Sequence, residues 1–465
     1  MSRSQAIKET EDYFDRGGFK ADLARRVAIP TESQNPDRAS ELQRYIHAEM
    51  IPSLEALGFQ CRVIEQAGAP GPFLFAERIE EAHLPTVLGY GHGDVIRGLD
   101  SAWQQGTEPW RLVEMGGCYW GRGVADNKGQ HTINVAALAA VLKTRGRLGF
   151  NAKWIIEMGE ETGSRGLREV CRDHHALFAA DVFIASDGPR LAADRPTIFL
   201  GSRGCASIDL WIDAREGGHH SGNWGGLLSS PAIQLVHALS TITDAKGQIL
   251  VPELRPERLS NSVRQALATC EIKTEPGDPK IDPDWGEPGL TPAEKVFAWC
   301  SFEILAMTSG VPESPVNAIP PRAWARTQVR FVVGVDPDGF VPALRQHLDR
   351  HGFSMVQVAP SGDEVMRATR LDPDHPWVRW TSGAIERTSG APPAILPNLG
   401  GSLPNDIFSE VLGLPTVWVP HSYPGCSQHA PNEHLPMALA REALQLMAGI
   451  YWDLGEPGTP PRGAG

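Results

Sequence analysis

Short apolar runs closed by turn-forming residues recur through the first two hundred positions. Segments 86–90, 153–158 and 181–185 are of this kind. Each is too short for a helix and apolar throughout, so each predicts a strand buried on both faces of a mostly parallel sheet. Between the first two, segment 127–143 places Ile133, Ala136, Ala137, Ala140 and Val141 on one helical face. It predicts an amphipathic helix, with Asp126 positioned to cap its start.

The pattern changes near Leu200. Segment 206–214 alternates, with Ile208, Leu210 and Ile212 on one side and Ser207, Asp209 and Asp213 on the other. That period of two predicts a half-exposed antiparallel strand, and an edge along which two copies of the chain could pair. Segments 329–335, 339–350 and 353–358 read as strand, helix and strand. Segment 374–389 resumes a helix, 415–420 is one more buried strand, and 435–452 is a closing amphipathic helix. Segment 274–292, dense in Pro, Gly and acid, reads as a loop, and 455–465 as a frayed tail. The fold predicted is α/β. Residues 1–199 and 369–465 form a domain with a mostly parallel sheet, and 200–368 form an α+β unit inserted into it.

Composition narrows the function classes. A chain of 465 residues with 41% hydrophobic positions can bury the cores of two to three domains. A net charge of −13 argues against a nucleic-acid partner. The N-terminal residues carry no apolar signal region, and no stretch approaches the roughly 20 apolar residues of a membrane span. Seven cysteines, an odd number with no Cys-x-x-Cys pair, read as free thiols in a reducing compartment. The cytoplasm is the expected location.

Five segments bring metal-type ligands to the ends of apolar runs or the start of the helix: His92 with Asp94, Asp126, Glu160 with Glu161, Asp187, and His429. Ligands in open α/β sheets bind beyond the carboxyl ends of the strands, where these residues fall. A lone Asp there is usually a turn former. Two adjacent acids after a buried strand repel each other unless a cation lies near them. Imidazole with carboxylate suits zinc, and also manganese or cobalt. No cysteine joins the set, which argues against a closed structural zinc site. Five ligands with one shared match the count for two ions.

The same motifs resemble a family. His-x-Asp at His92, Asp-Asn-Lys-Gly at Asp126, Glu-Glu at Glu160, Ser-Asp at Asp187 and His-x-x-Asn-Glu at His429 stand in the order of the cocatalytic metallopeptidases. That family includes carnosinases, cytosolic non-specific dipeptidases, aminoacylases, acetylornithine deacetylase and succinyl-diaminopimelate desuccinylase. The resemblance implies that His92 and Asp187 hold one metal, Glu161 and His429 the other, and that Asp126 bridges. Asp94 would orient His92, and Glu160 would be the general base. His434 and His219 take no role by this spacing, and His434 reads as a helix-start residue. Gly93 stands where the family often has a larger residue, which implies a roomier pocket.

The inserted unit resembles the dipeptidase branch, which implies a ferredoxin-like lid and dimerisation domain. His220 in His-Ser-Gly-x-x-Gly-Gly would polarise the scissile carbonyl, acting across a homodimer. Asn317, Arg330, Gly401 and Ser402 would hold the substrate, with Arg330 on its carboxylate. An Arg fork suits that task because it donates two hydrogen bonds to one carboxylate. The expected activity is hydrolysis of an amide bond in a dipeptide or N-acyl amino acid. Two rivals stand beside it. One is a deacylase or aromatic-amine hydrolase acting on a small metabolite with the same site. The other is a non-catalytic metal-binding protein, for which a base at Glu160 has no purpose.

Overall fold

A computed structural model of the chain describes residues 2–272, 279–362 and 365–460. In chain order the strands are β1 (Gln60–Ile64), β2 (Phe73–Arg78), β3 (Thr86–His92), β4 (Val113–Met115), β5 (Cys118–Trp120), β6 (Asn151–Glu157), β7 (Val182–Ala185), β8 (Thr197–Phe199) and β9 (Gly204–Asp213). They continue as β10 (His219–His220), β11 (Ser301–Thr308), β12 (Ala318–Ile319), β13 (Arg322–Phe331), β14 (Gln357–Pro360), β15 (Ala394–Leu396), β16 (Thr416–Trp418) and β17 (His434–Pro436).

The main sheet has the order β1-β2-β6-β3-β7-β16-β8-β15. Its centre, β6-β3-β7-β16, is parallel, and β1 and β2 add an antiparallel edge. Every residue of β3, β6 and β7 is buried. The reason is visible in alternation. Leu74, Val87, Trp154, Ile156, Val182 and Ile184 enter one core, while Phe73, Phe75, Leu88, Ile155 and Phe183 enter the other. Covered on both faces, such strands must be apolar throughout.

The helix Lys128–Arg145 follows, but not as an amphipathic surface helix. All residues from Lys128 to Val135 are buried. Its polar side chains are bonded inside: Lys128 Nζ donates to the carbonyls of Arg26 and Ile29, and Tyr451 Oη to Asn134 Oδ1. Asp126 does not cap it. Asn127 stands at the N-cap, with no side-chain cap bond, and the Asp126 carboxylate turns to two histidines instead.

The second sheet is antiparallel, in the order β11-β13-β9-β14. The helices Pro231–Ile242 and Phe340–Arg350 cover one face, sharing a core with Ile208, Leu210 and Ile212. A βαββαβ chain with this strand order is ferredoxin-like. β9 is paired on both sides, by β13 and β14, so the edge expected at 206–214 is not there. The edges are β11 and β14. The segment holding the helices Asn261–Leu267 and Pro292–Ala298 packs Val263, Leu267 and Phe297 with Leu396 and Phe408, against the main sheet.

Several boundaries shift. β13 begins earlier than 329 and ends at Phe331, and of 353–358 only the end joins β14. His434 opens β17 rather than a helix, which starts at Met437. Of the predicted loop 274–292, residues 274–278 lie outside the described residues, as do 461–465 of the predicted tail.

Candidate active site

The parallel strands deliver their ligands at one end. His92 is the last residue of β3, a 3-10 turn after β6 carries Glu160 and Glu161, and Asp187 follows β7. The structure gathers His92, Asp126 and Asp187 into one triplet, and Asp126, Glu161 and His429 into a second, with ligand atoms within 4.8 Å in each. The two oxygens of Asp126 face different ways. Oδ1 lies 3.1 Å from His92 Nε2, and Oδ2 lies 3.2 Å from His429 Nε2. His429 Nε2 is 2.9 Å from Glu161 Oε2, and His92 Nε2 is 3.6 Å from Asp187 Oδ2. The His429 side chain is 58% exposed, so the cluster opens to solvent on that side.

Charge is crowded here. Burial, then the neighbouring Asp126 carboxylate, pushes Glu161 up to about 7. Burial raises Asp187 to about 6, against the pull of His92. Glu160 is held well above the usual carboxylate range, by burial first and then by Glu161 and Asp187, with His92 opposing. Asp126 is pulled below that range in spite of burial, because His429 and His92 donate to it. His429 rises to about 11 through its bonds to Asp126 and Glu161. Burial opposes charge on His92, yet Asp187, Asp126 and Asp94 hold it well above its ordinary value. The common cause is a set of carboxylates withdrawn from water that demands positive charge. Asp187 Oδ2 is buried without a hydrogen-bond partner among the described residues. An orphaned carboxylate oxygen and an all nitrogen-oxygen donor set fit a divalent cation.

Asp94 touches both His92 and the turn after β6. Its carboxylate accepts the backbone N–H groups of Glu160 and Glu161, each at 3.2 Å, and so grips the turn that bears both acids. His92 Nδ1 lies 3.0 Å from the Asp94 carbonyl oxygen and 3.4 Å from its carboxylate. Gly93 leaves no extra room: an added Cβ would stand 2.5 Å from the Tyr45 ring and 2.7 Å from Met158 Sδ.

Sequence reasoning missed three supports. Glu433, inside the quoted His429 motif, accepts the backbone N–H of Ala125 at 2.9 Å and of Asp126 at 3.0 Å, and pairs with buried Arg122 at 2.9 Å. A chain of Asn127, His131 and Tyr45 lies beneath His92, with Tyr45 Oη 2.5 Å from His131 Nε2 and His131 Nδ1 3.1 Å from Asn127 Oδ1. The third is Arg203, at the crossing between the two sheets. Its Nε donates to the Gly400 carbonyl at 2.7 Å. Its backbone carbonyl accepts from Ser402 Oγ at 2.7 Å, and Arg330 Nη1 donates to the same hydroxyl at 2.8 Å. Burial, then the neighbouring Arg330 charge, lowers Arg203 to about 10. Among the described residues neither guanidinium has a carboxylate within 4.0 Å. The only local hint was the Arg203-Gly204 step before an alternating strand.

Arg330, Ser402 and the Gly400-Gly401 turn therefore meet. His220 and Asn317 meet elsewhere, on the small β10-β12 ribbon, where Ser221 N–H donates to the Asn317 carbonyl at 2.9 Å. Both are exposed, and no hydrogen bond or ion pair among the described residues ties either to the carboxylate cluster.

A parallel sheet whose strand ends converge on two nitrogen-oxygen triplets sharing one carboxylate is the layout of a metallohydrolase. The profile of peptidase family M20/M25/M40 matches residues 88–453, and the chain belongs to that family. It is a metal-dependent peptidase that hydrolyses amide bonds. The β-Ala-His dipeptidase of Mus musculus is 26% identical over 415 residues, covering 83% of this chain and 80% of the relative. The cysteinylglycine-S-conjugate dipeptidase of Corynebacterium striatum is 26% identical over 325 residues, 69% of this chain and 70% of the relative. The crystal structure of human carnosine dipeptidase 1 shares the fold, with a TM-score of 0.77 at 24% identity over 97% of this chain and 98% of that one. No helix among the described residues is long and apolar enough to cross a membrane.

Proposed function

We propose that the chain is a dinuclear dipeptidase that cleaves the amide bond next to a free carboxylate, in a dipeptide or an N-acyl amino acid. One observation carries the reading: two ligand triplets share Asp126 while Glu160, beside them, belongs to neither. His92 and Asp187 would hold one ion, Glu161 and His429 the other, and Asp126 both. Zinc suits these donors, with manganese and cobalt as alternatives. Two such ions supply Lewis-acid polarisation and a lowered water pKa.

The protein's own groups do the rest. Glu160, with its raised proton affinity, takes the proton of the attacking water and passes it to the leaving amine. Asp94 fixes Glu160 through its backbone. Arg330, Ser402 and the Gly401 turn hold the substrate carboxylate, and Arg203 adds a second positive charge there. Residues 200–368 act as the lid. His220 stabilises the developing oxyanion from the lid of a second copy, with Asn317 beside it. Two features support the dimer. His220 is exposed and has no bond to the cluster of its own chain. One edge of the lid sheet is β11, where Ile304, Leu305 and Met307 are 47%, 53% and 42% exposed. Seven cysteines, none of them in a disulfide among the described residues, support a cytoplasmic setting.

The test is a panel of dipeptides and N-acyl amino acids, with and without chelator, alongside metal content by emission spectroscopy. Chelator-sensitive cleavage with two ions per chain is expected. A protein that binds one ion, or prefers amides lacking the carboxylate, would refute the proposal.

A further inference from the structure

Beside the carboxylate-binding turn lies a cavity of about 510 Å³, within the roughly 300–1,000 Å³ typical of pockets that enclose small ligands. Its walls include Leu191, Val296, Phe297, Leu396, Leu399 and Tyr423. The charged side chain lining it among the described residues is Arg190, whose guanidinium is matched by Glu442 and by the Pro420 carbonyl. Among the described residues the surface offered to an incoming group is apolar: the Arg190 charge is countered by Glu442, and its Nη2, which has no partner, is withdrawn from that surface.

Two glycines tie it to the chemistry. Gly400 forms part of the wall. A Cβ there would stand 2.8 Å from Val296 Cγ1 on the cavity side and 3.9 Å from Arg203 Nη2 on the carboxylate side. Leu399 Cδ2 lies 3.1 Å from where a Cβ on Gly188 would be, next to Asp187, and 3.9 Å from the same position on Gly401. One wall therefore runs from the Asp187 loop to the turn beside Arg203. A residue whose carboxylate rests on that turn carries its side chain one bond away, within reach of the cavity.

We infer that this cavity receives the side chain of the substrate's carboxy-terminal residue, and that the enzyme selects dipeptides ending in a bulky apolar residue such as Leu or Phe. The inference rests on the dipeptidase reading above and names the substrate class of that site.

The metal-loaded full chain is assayed for kcat/KM on Ala-Ala, Ala-Leu, Ala-Phe, Ala-Asp, Ala-Lys and Leu-Ala. Ala-Leu and Ala-Phe should exceed Ala-Ala by about tenfold or more, the discrimination that apolar pockets achieve per missing group, and Ala-Asp should fall below it. Val296 is 36% exposed, so Val296→Asp is tolerable to the fold. It should lower the Ala-Leu to Ala-Ala ratio about tenfold and raise Ala-Lys relative to Ala-Leu. Ala192→Trp, which fills the cavity without charge, should lower the same ratio. Cleavage of all six at similar rates, or a preference that follows the amino-terminal residue, overturns the inference and leaves the dipeptidase reading standing. Failure to cleave any of them, Ala-Ala included, overturns both the inference and the dipeptide reading on which it rests.

Discussion

Glu433→Gln is the sharpest test of how the shared ligand is held. Glu433 Oε2 accepts from Arg122 Nη1 and the Gly123 N–H, both at 2.9 Å. Oε1 accepts the N–H groups of Ala125 at 2.9 Å and Asp126 at 3.0 Å. An amide of the same shape has one acceptor, so whichever way it turns, two donors face its NH2 group. Arg122 also loses its counter-charge while 1% exposed. Removing one partner of a buried pair costs about 3–5 kcal/mol. The metal-stripped variant should therefore unfold at clearly lower urea. Because Asp126 serves both triplets, the fault should reach both: supports behind metal ligands are worth about 10–100-fold in affinity. Chelator competition reads that number. Pairing the change with Arg122→Met removes the unmatched cation and should restore most of the stability, while affinity stays below the natural protein's. Wild-type metal affinity in Glu433→Gln, alongside lowered stability, would refute the positioning role and leave Glu433 as a core residue only.

Glu160→Gln should abolish turnover while metal content stays unchanged, and a fall by half or more would make Glu160 a ligand. Arg330→Ala should raise KM for carboxylate substrates far more than for their amides, by about 2–4 kcal/mol in binding; an equal loss on both would remove Arg330 from the substrate site. His220→Ala and Glu160→Ala, each inactive alone, should regain roughly a quarter of wild-type activity when refolded together, because about half of the dimers are mixed and each has one complete site; no recovery with mixed dimers present would place His220 in its own chain or outside catalysis. Glu157 gives a pH test. Burial and the nearby Asp94 charge raise it from 4.5 to about 8, although Tyr90 and Ser164 donate to it. A raised folded pKa stabilises below the unfolded value, and that contribution is lost as pH rises through 8. Glu157→Gln stays neutral, so urea midpoints at pH 6 and pH 9 should differ less than in the natural protein; an unchanged difference would count against burial as the cause.

The chemistry was legible in sequence because each ligand sits where a local pattern ends. His92 closes one strand, and Glu160 and Asp187 follow two others. Strands buried on both faces are unbroken apolar runs, so their ends are visible without knowing their neighbours. The inserted α+β unit was legible for a similar reason, through the alternation at 206–214, while its ferredoxin-like form was implied by the family resemblance alone. The same alternation misled about its edge. A period of two reports that one face is buried, and says nothing of which strands pair beside it, so β9 proved internal and β11 and β14 the edges. The helix after Asp126 misled in the opposite sense: its polar residues are bonded inside the protein, where a pattern-based reading puts them in water.

What only the tertiary structure decided are the contacts between segments far apart in the chain. Arg203 and Arg330 meet at Ser402 because strands β9 and β13 pair with Cys205 opposite Arg330. Glu433 grips the Asp126 backbone from more than three hundred residues away. Backbone N–H groups carry no sequence signature, so a carboxylate that binds them looks like any other acid until the chain is folded. Local periodicity determined which side chains stand at strand ends. The crossing of the two sheets decided that Arg203 and Arg330 meet at Ser402.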